Sequence, residues 1–88
     1  MRKRRWPEWW GWKLEFHPHL IKRMVDRGFK KVDLRRMLYL ASGYRRDIVP
    51  GRLLILTRHR RRTWHVIVEP DLEAELLVVV TAYAPEGE

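Results

Sequence analysis

Leu76-Leu77-Val78-Val79-Val80-Thr81-Ala82-Tyr83 is the longest apolar stretch in the chain, and only Thr81 interrupts it. It falls far short of the roughly 20 residues needed to span a bilayer. Its composition predicts a central strand, covered on both faces. Working back from it, three more strands are expected. Residues 63–69 pair with 75–83 around a Pro70-Asp71 turn, and residues 44–49 pair with 52–57 around Pro50-Gly51. Residues 59–62, His-Arg-Arg-Arg, form a basic turn between the two hairpins.

Upstream the periodicity changes. Trp12-Lys13-Leu14-Glu15-Phe16 alternates apolar and polar residues and reads as a short strand. His17-Pro18 opens a helix, since proline is tolerated in the first turn, and Gly28 closes it. Leu20, Ile21, Met24 and Val25 make its apolar face. A second helix is expected from Asp33, which would cap it, to Gly43, with Leu34, Met37, Leu38 and Ala41 as its stripe. The reading is α+β: two N-terminal helices packed on an antiparallel sheet of four to five strands. Residues 1–11, punctuated by Pro7 and Gly11, lack any period and read as a basic, Trp-rich arm; residues 12–88 form a single domain.

Charge is distributed unevenly. Residues 1–62 hold all 19 Lys and Arg against five acids, whereas residues 63–88 hold six acids and no Lys or Arg. Fourteen of the 19 are Arg. The guanidinium fork grips phosphate bidentately and stacks on bases, so this skew predicts a nucleic-acid partner rather than a membrane surface. The chain has no Cys, which excludes disulfides and thiolate metal sites and suits a cytoplasmic setting. The arm has charge but no apolar core of secretory type. No Gly-rich phosphate loop, Ser-nucleophile motif or metal-ligand spacing is present, and no cofactor is expected. His17 and His19, two apart around a proline, are not expected to face one another.

His19-Leu20-Ile21-Lys22-Arg23-Met24-Val25-Asp26-Arg27-Gly28 carries a resemblance. It is similar to domain-of-unknown-function family 4258, whose members open with H-x-x-x-R-M-x-x-R-G. The resemblance extends over residues 14–85, through the second helix and the strands ending in Thr81 and Tyr83. That family's order of elements is in turn similar to the RelE/ParE-type toxins. This implies a small ribonuclease of toxin type, acting without metal on RNA, free or ribosome-bound, with an acidic antitoxin as protein partner. The Trp-rich arm lies outside the resemblance.

Such cleavage needs a base for the ribose 2′-OH, an acid for the departing 5′-oxygen and cations for the phosphorane. His19 stands in the first helical turn, where free backbone N–H groups also attract phosphate. Arg23 lies four residues on along the same face, and Arg27 continues the row. Thr81 and Tyr83 share one face of the last strand, and His65 lies on a strand face opposite Trp64, Val66 and Val68. These six are the candidate catalytic residues; each also has an ordinary structural role open to it, in packing, ion pairing or a solvated face. Arg45, Arg46, Arg58, Arg60, Arg61 and Arg62, with Arg4 and Arg5 of the arm, are candidate phosphate contacts. Trp6, Trp9 and Trp10 either stack on bases or bury against the domain or a second copy, forming a homodimer; Trp12 is expected to be buried. The alternative to catalysis is a module that grips nucleic acid or a ribosome through the same Arg face.

Overall fold

The computed structural model describes residues 6–85. After a short 3-10 turn, Glu8–Gly11, the elements run β1 (Lys13–Phe16), α1 (Pro18–Arg27), α2 (Lys31–Tyr39), β2 (Gly43–Arg46), β3 (Leu53–His59), β4 (Arg62–Asp71) and β5 (Leu76–Tyr83). The α+β class and five strands agree with the sequence. The sheet, however, is mixed. Its order is β1-β5-β4-β3-β2, and β1 lies parallel to β5 while the other pairs are antiparallel. Two helices separate β1 from the strands that follow, and a connection of that length lets the chain return beside its last strand in the same direction.

Both helices pack on one face. Leu20 and Met24 of α1, and Leu34, Met37 and Leu38 of α2, join Ile55, Trp64, Val66, Val68, Leu77, Val79 and Ala82 in one buried cluster. Thr57 Oγ1 donates to Met37 O at 2.6 Å, fixing α2 on β3. β5 is an interior strand as expected, but it is covered on one face only: Leu77 and Val79 are buried while Val78 and Val80 are half-buried. Likewise the apolar face of α1 is narrower than its sequence suggests. Leu20 and Met24 are buried, but Ile21 is 40% and Val25 80% exposed.

Several boundaries move for local reasons. α2 starts at Lys31, so Asp33 is not its cap; its carboxylate reaches back to accept Lys30 N–H at 2.8 Å. The helix ends at Tyr39, and Gly43 begins β2. Pro70 and Asp71 belong to β4, and the turn falls on residues 72–75, where Asp71 Oδ1 accepts the N–H of Ala74 and Glu75 takes a left-handed φ of 54°. Trp9, Trp10 and Trp12 are half-buried against the core, and Trp6 stacks on Trp10 at 4.2 Å beside Tyr44. The second half of the arm is therefore tied to the body. No described helix is long and apolar enough to cross a membrane.

Candidate active site

β1 ends at Phe16, opposite Val79, so the second half of β5 has no strand on that side. α1 takes its place. His17 N–H donates to Val79 O at 3.0 Å as the chain leaves the ladder, and Arg27 donates to Ala82 O at 2.9 Å one helix length later. Between these anchors the polar side of α1 faces the edge of β5. The β4–β5 register changes here: Ile67 pairs with Thr81 but Val68 with Val79, leaving Val80 as an extra residue in a bulge. A bulge turns its strand and re-aims side chains; here Val80 and Thr81 both reach the space beside α1.

The result is a cleft of about 450 Å³ lined by His17, His19, Arg23, Arg27, Arg52, Val80, Thr81 and Tyr83. Five of the six candidate catalytic residues therefore meet in one space. The sixth, His65, does not line it. It pairs across the sheet with Tyr83, and their rings meet edge to face at 5.5 Å. Burial, and secondarily the positive Arg45 guanidinium, hold the His65 pKa below its usual value. Its Nδ1 is buried without a hydrogen-bond partner among the described residues.

Besides Val80, two polar lining residues are not among the candidates that the sequence offers. Arg52 reaches in from the residue just before β3, held by Glu69 Oε1 at 3.0 Å from its Nε. The Pro50-Gly51 turn signalled only a loop, and nothing in it marked the next residue. For His17 the sequence predicts only that it does not face His19, two residues on around a proline. In the structure it caps α1: its Nδ1 accepts the His19 N–H at 3.1 Å, and the two imidazoles stack with centroids 5.2 Å apart and planes 14° apart. The rings do face one another, contrary to the expectation, because His17 lies outside the helix with an extended ψ of 143° and folds back over the first turn.

The other candidate phosphate contacts lie elsewhere. Arg58, Arg60 and Arg61 line a second cleft with Arg36 and His59 at the far end of β3 and β4. Arg60 and Arg61 occupy the tip of that hairpin with φ of 53° and 67°, and His59 pairs with Arg62 below them. Burial, partly opposed by Asp33, lowers the His59 pKa as well. Arg45 and Arg46 are exposed on the edge strand β2. Arg4 and Arg5 lie outside the described residues. The described His, Asp and Glu form no group of three able to hold a metal ion. No family model, curated protein or solved structure matches the chain.

The cleft can hold an anion. Three guanidinium groups line it, and no carboxylate does. It also holds two imidazoles, His17 and His19, and two hydroxyls, the Tyr83 phenol and the Thr81 alcohol, groups that can donate or accept protons.

Proposed function

We propose that this cleft cleaves RNA by attack of a ribose 2′-oxygen on the adjacent phosphate, without a metal. The observation that carries the reading is that His19, Arg23, Arg27, Thr81 and Tyr83 line one and the same cleft. A module that only grips phosphate needs the guanidinium groups. Proton transfer in addition calls for an acid and a base, which the His19 imidazole and the Tyr83 phenol can supply.

His19 accepts the 2′-OH proton as the O2′–P bond forms. Arg23 and Arg27 take up the charge that grows on the non-bridging oxygens; Arg27 is anchored by Ala82 O and Arg23 is the more exposed of the two. As the P–O5′ bond breaks, the departing oxygen needs a proton. Tyr83 is the better donor, because a phenol is a far stronger acid than the Thr81 alcohol, which serves as a hydrogen-bond donor to the phosphate. The phenolate then recovers its proton from the His19 imidazolium. The likeness of the His19–Gly28 motif to family 4258, whose order of elements is similar to that of the RelE/ParE-type toxins, agrees with the same reading, and with it an acidic antitoxin covering the basic face. The test is single-turnover cleavage of a ribo-oligonucleotide in EDTA by wild type and His19→Ala. This variant keeps the backbone N–H that His17 caps, so the helix start survives. The expected loss is a factor of about 10²–10⁴. Equal rates would remove His19 from the mechanism.

A further inference from the structure

We propose that His17 is a second working imidazole of the cleft: a hydrogen-bond donor of fixed tautomer to a non-bridging oxygen of the bound phosphodiester. The inference rests on the reading above and goes beyond it, because nothing in that chemistry calls for His17.

The capping geometry fixes the ring. Its Nδ1 accepts a backbone N–H at 3.1 Å, and a nitrogen that accepts carries no hydrogen. The ring hydrogen therefore stands on Nε2, at the far end of the imidazole from the helix. His17 is half-buried and lines the cleft that Arg23, Arg27 and Arg52 also line. Its backbone is held on both sides: its N–H donates to Val79 O at 3.0 Å, and Pro18 follows at the first helical position. Its ring is further fixed by stacking on His19 at 5.2 Å. Position, rotamer and tautomer are all set before substrate arrives, as an electrostatic catalyst requires.

The residue type fits this double task better than the usual caps. Ser, Thr, Asn and Asp are the favoured residues here because they accept from the first turn. Asp would bring a negative charge beside the phosphate. Ser and Asn cap with a short side chain that ends at the helix. Histidine accepts with one nitrogen and carries a donor on the opposite side of a rigid ring.

His17→Asn separates the two tasks, since the amide oxygen can still cap the His19 N–H but no donor stands where Nε2 did. Thermal unfolding should be nearly unchanged, while single-turnover cleavage of a ribo-oligonucleotide in EDTA falls by about 10²–10³, the scale for one lost transition-state donor. Nitrogen NMR of wild type should show hydrogen on His17 Nε2 and none on Nδ1. The Nε2 signal should move on adding a short 2′-deoxy oligonucleotide, which lacks the attacking hydroxyl and is not cleaved. Wild-type rates in a folded His17→Asn would overturn the inference while leaving the cleavage reading intact. So would hydrogen on Nδ1, or an Nε2 signal that ignores the oligonucleotide. Conversely, an oligonucleotide-induced shift at His17 in a wild-type protein that cleaves nothing would support the donor and overturn the reaction.

Discussion

Arg23 and Arg27 occupy the same row of α1 but have different surroundings. Arg23 is exposed, whereas Arg27 is half-buried and donates to Ala82 O at 2.9 Å. Arg23→Ala should therefore leave the melting temperature within about 2–4 °C of wild type, since exposed sites change stability by within ~0.5 kcal/mol. It should nevertheless slow cleavage by about 10²–10³. Arg27→Ala should lower both, because it also releases the strand carbonyl that α1 holds; thermal melts beside single-turnover rates separate the two effects. His65 supplies a pH dependence. Burial lowers its pKa in the fold, so below about 6.5 the unfolded chain binds a proton that the folded chain refuses. That contribution to stability is complete above the unfolded value and is lost as the pH falls towards the folded one. His59 acts in the same direction. The melting temperature should fall as the pH drops below about 6.5, and His65→Gln should flatten part of that fall. A His65→Gln curve parallel to wild type would contradict the assignment.

At the scale of elements, the β3–β4 turn is the most strained. Arg60 and Arg61 both take left-handed φ, the geometry of a two-residue turn that favours Asn-Gly. A left-handed conformation costs a side-chain-bearing residue roughly 1–2 kcal/mol. Arg60→Asn with Arg61→Gly should raise the melting temperature by several degrees, at about 4–8 °C per kcal/mol for a domain of this size. RNA affinity should drop in the same variant if the turn contacts phosphate; an unchanged affinity would release these arginines from the interface. What the sequence disclosed follows from local signals. The Pro18 start and Gly28 stop of α1, the alternation in β1 and the apolar β5 run are each written in neighbouring residues. The H-x-x-x-R-M-x-x-R-G pattern likewise placed His19, Arg23 and Arg27 on one row. The parallel β1–β5 pairing and the bulge at Val80 are not local: they depend on which strand lies next to which, and residues distant in the chain decide that. The hidden parts of the site have the same origin. Arg52 arrives from the loop that leads into β3, and the placement of His17 depends on a backbone turn that no side-chain period encodes.

At the scale of the whole molecule, the arm and the charge split each lead to a prediction. Trp9 and Trp10 pack on the core. Deleting residues 1–11 should therefore cost ~1 kcal/mol for each half-buried tryptophan, on a scale of 1.5–3 for complete burial, and lower the melting temperature accordingly. An unchanged melt would return the arm to the status of a free appendage. The 19 cations confined to residues 1–62 predict binding driven by counterion release. If about five phosphates are neutralised, affinity for single strands should fall with a log–log salt slope of roughly −3.5. The central claim, however, is chemical, and the ends of the RNA fragments test it most directly. The protein should be incubated in EDTA with an RNA oligonucleotide, and the products analysed for their termini. Attack by the 2′-oxygen leaves a 2′,3′-cyclic phosphate on one fragment and a 5′-hydroxyl on the other. The account predicts those ends, formed without metal, blocked by 2′-deoxy substitution at the cleaved position and greatly reduced in His19→Ala. Fragments ending in 3′-hydroxyl and 5′-phosphate, or intact RNA under every condition, would contradict it.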